Sequence, residues 1–395
     1  MNLEGFEYIT LFEEDNNGRK IYIFNINDVS ITGHNCHYPN AMLHNKGKIY
    51  NPLDETIMSL KNVKKQNPTY KIKTPTNVIK DPVFYFIYNV DNYYHFIYDT
   101  LPYLISYLKL RESIPNLKLL TNYPNGHSML YKFVIEFLNL LSIQESDILI
   151  VNDITSYDTM YVSSSYTHGH NSNKPPRKEI YNFYKHIISL VPKNFNTPKK
   201  IYVSRRTWVH NDLSNIGTNY TTRRKMINED ILVNKLTSLG YIEVFPESMS
   251  IIEKIQLFSN AKEIIGPIGG GLVNVLFSNP DCKLFVLVSP TFLDINKRFK
   301  YSFSNLNTTY FTECTHESNE EYKLYMRVQS DNIIGEISNI NNNNIVIEYI
   351  DYPVAGWNNT LKYKNIIIDK SKCIKLDNGL NSPWVVDIEK LLNIL

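Results

Sequence analysis

Between residues 200 and 288 the apolar and polar positions fall into alternating blocks that predict strand and helix in turn. KIYVS, from Lys200 to Ser204, is short and β-branched and reads as a strand. NEDILVNKLTSLG reads as a helix, with Asn228 as its cap, Glu229 and Asp230 in the electropositive first turn and Gly240 at the stop. YIEVF is a strand closed by Pro246, and Ser250 with Glu253 forms a capping box for a helix over residues 251–261. EIIG is the next strand; a glycine-rich loop, a short helix over residues 272–278 and the strand KLFVLV follow. This β-α-β-α-β order with short connections predicts a parallel sheet.

The first half carries the same rhythm less cleanly. VFYFIY (residues 83–88) reads as a buried strand and NYYHFIYDTLPYLISYLKL as a helix bent near Pro102. A strand at LKLLT, a helix over residues 128–141 and a strand at DILIV come next. A polar segment, SSSYTHGHNSNKPPRKE, leads to a helix over residues 180–190. VPKNFNTPKK, with two prolines, reads as a linker. Residues before 79 read as short strands and turns. After Phe292 the periodicity weakens: NNNN (residues 341–344) reads as a hairpin tip, and DIEKLLNIL as an amphipathic helix with Ile388, Leu391, Leu392 and Leu395 on one side. The expected segments are 1–78, 79–192, 193–295 and 296–395.

Composition narrows the class without naming a function. The 395 residues suffice for two or three domains. The formal charge is +2, from 41 basic and 39 acidic residues, which gives no reason to expect nucleic acid or an anionic membrane as partner. Cys36, Cys282, Cys314 and Cys373 form no CxxC or zinc spacing, and His168 and His170 in THGH have no third ligand nearby, so no metal is expected. The N-terminus lacks the basic and apolar regions of a signal peptide, and no apolar run is long enough to span a bilayer. The expected compartment is the cytoplasm, or that of the host if the AT-rich style (Asn, Ile, Lys, Tyr) marks a viral gene.

Candidate chemistry gathers where strands end. Four of the fifteen glycines, Gly266, Gly269, Gly270 and Gly271, fall between the strand EIIG and the helix beginning at Leu272. Glycines before a helix N-terminus let an anion approach unsatisfied N–H groups. A tight turn needs glycine with or without a ligand, and GPIGGG is neither a dinucleotide fingerprint nor a P-loop. Ser204, Arg205 and Arg206 directly follow the strand KIYVS, and Arg223 and Arg224 precede the helix capped by Asn228, so four guanidinium groups are expected at the same sheet edge. Arginine forks match phosphate oxygens. Loop and arginines together point to a diphosphate site.

YVSRR, RRKMINED and PESMSIIEKIQLFSNAKEIIGPIGGGLVNVLFSNP, in that order, resemble glycosyltransferase family 61, and NYYHFIYDTLPYL resembles its N-x-x-H-x-x-x-D motif. The resemblance spans about Val83 to Ser289 plus the closing helix. It implies an α/β, GT-B-like fold: two Rossmann-like domains facing a cleft, the C-terminal one holding a nucleotide-sugar. Ile268 and Val273 stand where the family usually has His and Thr, and the segment between Arg206 and Arg223 is longer than usual. The resemblance also gives Glu229, Glu247, Leu272 and Asn274 to the donor site and Asn92 to the acceptor.

A glycosyltransferase must stabilise a departing nucleoside diphosphate and deprotonate an acceptor hydroxyl. The arginines and loop amides suit the first task. The chain has no Asp-x-Asp motif, which favours arginine and helix dipole over a bound metal, with no cofactor beyond the donor itself. His95 and Asp99, at i and i+4 on one helix face, suit the second. Either His95 is the base and Asp99 its orienter, or Asp99 is the base and His95 binds substrate. The expected activity is inverting transfer of a hexose or pentose from a nucleotide-sugar, with UDP the expected nucleotide, to a glycan or protein hydroxyl. The rivals are a catalytically silent nucleotide-sugar- or glycan-binding protein of the same fold, and a Rossmann oxidoreductase, against which the loop spacing argues.

Overall fold

The computed structural model describes residues 6–34, 36, 40–124, 127–152, 154–167, 174–205, 224, 226–318, 324–325, 335–340, 344–351, 362–369, 374–375 and 382–395. The chain divides into two compact units, Met1–Ile187 and Ile188–Leu395. Among the described residues no helix is long and apolar enough to cross a membrane.

The first unit runs β1 (Glu7–Phe12), β2 (Ile21–Thr32), β3 (Met42–Asn45), β4 (Lys48–Asn51), β5 (Thr56–Met58), α1 (Leu60–Gln66), β6 (Asn77–Ile79), β7 (Val83–Tyr85), α2 (Tyr93–His95), a π turn (Phe96–Thr100), α3 (Tyr103–Arg111), β8 (Lys118–Thr121), α4 (Lys132–Leu140), β9 (Ile148–Ile150), β10 (Thr155–Ser163) and α5 (Lys178–Ser189). One sheet of ten strands holds them, in the order β5-β4-β3-β2-β10-β7-β8-β9, with β1 on β2 and β6 on β10. β10, β7, β8 and β9 are mutually parallel. β2 joins β10 antiparallel, so the N-terminal meander extends the parallel part of the sheet. Val83, Phe84 and Tyr85 are all buried, the signature of a strand covered on both faces. β10 lies at the junction of the two patterns and carries no apolar alternation that marks it in the sequence.

The second unit runs β11 (Lys200–Val203), α6 (Glu229–Ser238), β12 (Ile242–Val244), α7 (Ile251–Asn260), β13 (Glu263–Pro267), a 3-10 helix (Gly270–Phe277), β14 (Lys283–Leu287), α8 (Phe292–Ile295), α9 (Arg298–Ser302) and β15 (Asn307–Phe311). Its five strands are all parallel, in the order β12-β11-β13-β14-β15. That is the doubly wound 2-1-3-4-5 arrangement. α7 starts with the expected capping box: the Ser250 hydroxyl accepts the Glu253 amide, and the Glu253 carboxylate accepts the Ser250 amide. The expected helix over 272–278 is instead a 3-10 helix beginning at Gly270. Six of its eight residues are buried, so packing on every side sets its form rather than helix propensity.

Asn228 does not cap α6. Its amide donates to the Val386 carbonyl and its carbonyl oxygen accepts the Val386 amide. Those bonds bind the chain's end to the parallel sheet. β16 (Cys314–His316) pairs antiparallel with β22 (Trp384–Val386), while β17 (Leu324–Tyr325) pairs with β21 (Ile374–Lys375). β18 (Gly335–Ile340), β19 (Asn344–Asp351) and β20 (Lys362–Asp369) form an antiparallel meander. The β18–β19 pairing gives the expected hairpin, its tip residues 341–343 lying outside the described residues. Trp384, Val386 and Leu391 of the closing helix α10 (Ile388–Leu392) join one core with Tyr202, Ile265 and Leu287 of the sheet. Each such fully buried side chain contributes about 2 kcal/mol. Leu395 lies past the helix and is exposed.

Candidate functional site

In the first unit β7 lies between β8 and β10. The chain leaves β7 towards β8 and later returns to its other flank as β10, which makes the carboxyl ends of β7 and β10 a topological switch point. Ligands of open α/β sheets gather at such points. After β7, the Asn89 side chain accepts the amides of Asp91 and Asn92, and the Asn92 side chain then caps α2 by accepting the amides of Tyr94 and His95. Asn92, expected at the acceptor, therefore fixes the turn that carries His95.

The helix then widens. The Leu101 amide donates to the Phe96 carbonyl, five residues back, at 2.7 Å. In that register the Ile97 carbonyl falls to Pro102, which has no N–H. The Tyr184 hydroxyl donates to it instead, at 2.6 Å. Such π turns recur at functional sites. This one begins directly after His95 and contains Asp99, and the two side chains meet: His95 Nδ1 and Asp99 Oδ2 are 2.7 Å apart. Asp99 is fully buried, while the His95 side chain keeps 36% of its surface exposed. The Thr167 hydroxyl donates to Asp99 Oδ1 at 2.8 Å. A buried, hydrogen-bonded carboxylate beside a half-open imidazole can orient a ring that exchanges a proton through Nε2.

In the second unit the switch point lies between β11 and β13, the neighbouring strands from which the chain turns in opposite directions. Ser204 and Arg205 leave the end of β11 and the glycine loop leaves the end of β13. Arg205 Nη1 reaches the Ile268 carbonyl at 3.4 Å, a long contact, and lies 2.9 Å from where a Cβ on Gly269 would sit. Glycine at 269 thus makes room for the guanidinium. Gly266 has a different reason: a Cβ there would meet Val203 Cβ at 3.0 Å and Leu272 Cδ1 at 3.1 Å. Among the described residues a Cβ on Gly270 would meet nothing within 4 Å, so none of them requires that glycine.

Glu229 faces inward from the first turn of α6. Its Oε1 accepts the Tyr202 hydroxyl, the Ser204 hydroxyl and the Arg205 amide at 2.9, 3.0 and 2.9 Å. Burial raises its pKa against the lowering effect of those three donors. Glu247, in the turn after β12, is buried, and among the described residues its Oε1 has no hydrogen-bond partner. Burial pushes its carboxyl up to about 8, against the pull of Lys254 and Arg205. Lys254 is itself buried, on α7. The Leu272 amide donates to the Gly269 carbonyl and its side chain is buried; Asn274 donates to the Gly271 carbonyl.

The structure thus brings Ser204, Arg205, Glu229 and the loop together. Arg224 goes elsewhere: its guanidinium lies 4.6 Å from the centre of the Phe292 ring, on the segment after β14, and its carbonyl accepts the Trp384 indole N–H. Arg206, Arg223, His168 and His170 lie outside the described residues. Ile268 is fully buried, so that position offers the site only its backbone. Sequence reasoning missed Thr167, Ser165 and Glu55 in the first unit and Lys254 in the second. Thr167 is the first residue of the THGH segment read as a plain loop, and no local signal marks it.

No curated protein matches the chain. Residues 93–285 match the glycosyltransferase 61 family model; the matched span begins two residues before His95 and takes in both the π turn and the glycine loop. That match supports membership of glycosyltransferase family 61.

Proposed function

We propose that the chain is an inverting, metal-independent glycosyltransferase that moves a sugar from a nucleotide-sugar, UDP-linked first among candidates, to a hydroxyl of a glycan or protein. The observation that carries this reading is the seating of Arg205 against Gly269 at the second unit's switch point. The donor diphosphate lies on Arg205 and over Gly270, with Arg206 and Arg223 completing the cationic set. Glu247 takes the nucleoside. In the first unit His95 Nε2 accepts the proton of the acceptor hydroxyl as its oxygen attacks the anomeric carbon. The bond from that carbon to the diphosphate breaks on the opposite face, and the leaving charge passes to the guanidinium. Asp99 holds Nδ1, and Asn92 holds the turn. The partial exposure of His95 against the full burial of Asp99 favours the ring as base.

A second reading has one observation in its favour. The buried apolar Ile268 leaves the loop without a polar side chain at the place where family 61 usually has histidine, as a silent nucleotide-sugar-binding protein would. A thermal-shift screen of UDP- and GDP-sugars against NAD, followed by transfer assays on glycan acceptors, tests both. Donor-dependent stabilisation with turnover supports the transferase; stabilisation without turnover by any donor supports the binding protein. A response to NAD alone sinks both.

A further inference from the structure

Glu55 lies in the turn between β4 and β5, well before residue 93, where the family match begins. Its φ of 54° is left-handed, a conformation that costs a non-glycine residue energy and persists only where surrounding contacts enforce it. Its side chain is buried, and its Oε1 accepts the backbone amide of Ser165, 110 residues further along the chain. Ser165 Oγ in turn accepts the Thr167 amide at 3.1 Å. The Thr167 hydroxyl donates to Asp99 Oδ1, and Asp99 Oδ2 meets His95 Nδ1. Ser165, Thr167 and Asp99 are all buried. The bonds therefore run without a break from the N-terminal meander to the imidazole.

An aspartate carboxylate turns about a broad, two-fold torsion, so one contact does not fix its plane. Asp99 has the ring on one oxygen, and the Thr167 hydroxyl holds the other. The Thr167 hydroxyl is only as well placed as the turn that carries it, and Glu55 pins that turn at Ser165. We propose that Glu55 and Thr167 are positioning residues for the transfer reaction: Glu55 fixes the Ser165–Thr167 turn, and Thr167 locks the carboxylate that orients His95. This inference rests on the reading of His95 as the base, and its test includes a readout that does not need activity.

The full-length chain is prepared as wild type, Glu55→Ala, Glu55→Gln, Thr167→Val and Thr167→Ser. Long-range proton–nitrogen spectra report the tautomer of the His95 ring, assigned through the loss of its signals in His95→Ala. The wild-type ring should carry its proton on Nδ1. Glu55→Ala and Thr167→Val should each raise the share protonated on Nε2 and lower kcat about 10-fold, the usual scale for loss of an orienting partner, with donor KM unchanged. Glu55→Gln and Thr167→Ser keep an acceptor and a hydroxyl respectively and should restore the wild-type tautomer. An unchanged tautomer in folded Glu55→Ala and Thr167→Val overturns the proposal, whatever happens to melting temperature or kcat. Should Glu55→Ala not fold, the Thr167 pair decides. A chain that shows the tautomer shift but no transfer with any donor sinks the enzymatic reading and leaves the positioning network standing.

Discussion

The two units place their candidate groups at equivalent topological points and equip them in opposite ways. In the first, between β7 and β10, the polar groups are turned upon one another: Thr167 on Asp99, Asp99 on His95, Asn92 on the His95 amide. In the second, between β11 and β13, the inward-facing carboxylate of Glu229 fixes the strand end, while Arg205 lies along a loop that leaves space over Gly270. A satisfied network in a low-dielectric interior holds one geometry, which a proton acceptor needs. A cation beside open backbone suits a ligand that arrives already charged. Topology fixed where chemistry was possible, and the side chains decided which chemistry.

Breaking the first switch point should have the largest effect. His95→Ala is expected to lower kcat about 10,000-fold and Asp99→Asn about 1,000-fold, in the upper range for losing an oriented base. Donor affinity, measured by calorimetry on the same samples, should stay within about twofold, because the lost interaction belongs to the transition state. Equal losses of donor affinity would mean that these groups bind the nucleotide, and the division of labour between the units would be wrong.

The buried carboxylates sharpen the comparison through pH. Glu55 is pushed up to about 7 and Glu247 up to about 8, each by burial first. A carboxyl whose folded pKa is raised contributes its full stability below its unfolded value of 4.5, and that stability is lost as pH rises through the folded value. For Glu247 the window runs from 4.5 to about 8, a span worth at most about 5 kcal/mol. Glu247→Gln should flatten this fall, so urea midpoints at pH 5 and pH 9 should differ less in the variant than in wild type. A parallel pair of curves would show that Glu247 is already compensated in the folded chain.

Arg205→Ala probes the second switch point directly. It should reduce kcat/KM about 100-fold and weaken nucleoside diphosphate binding, the scale for removing one charged donor from a leaving group. The Glu229 carboxylate would keep its Tyr202, Ser204 and backbone donors, so the melting temperature should barely move. A large thermal loss with intact diphosphate binding would place Arg205 in the scaffold.

Legibility followed the same divide. The second unit's central strands β11, β13 and β14 are buried over most of their length and α7 carries a capping box, so apolar runs and the Ser250–Glu253 pair were visible along the chain. Arg205 and the glycine loop were visible too, because each directly follows a strand. What hid was polar burial. TSYDTMYVS does not read as a strand: its last residue, Ser163, and the Ser164, Ser165 and Thr167 that follow are buried, with the Ser163 hydroxyl bonded to the Ser106 hydroxyl and the Ser164 carbonyl and the Ser165 hydroxyl accepting the Thr167 amide. Glu55 hid for a further reason: its partner Ser165 is 110 residues away, and no local pattern encodes such a pair. Asn228 and Glu229 were seen at the right helix start, but the partners that claimed them, Val386 and the end of β11, depend on tertiary placement.

The smallest expected effect is the most discriminating. Gly266 and Gly270 stand four residues apart in one loop, and only Gly266 is held to glycine by its neighbours. Gly266→Ala forces a Cβ against the Val203 carbonyl at 3.2 Å and should destabilise the second unit by about 1–3 kcal/mol. Among the described residues Gly270→Ala meets nothing within 4 Å, and it has no left-handed backbone to strain, so the fold should tolerate it. If the space above it receives the donor diphosphate, the added methyl lies where phosphate oxygens approach the helix amides. Donor affinity should then fall about 10-fold, roughly the cost of one displaced contact, with the melting temperature of the free protein unchanged. A Gly270→Ala chain that binds donor like wild type would mean that the space is solvent, and the diphosphate would have to be sought on the arginines alone.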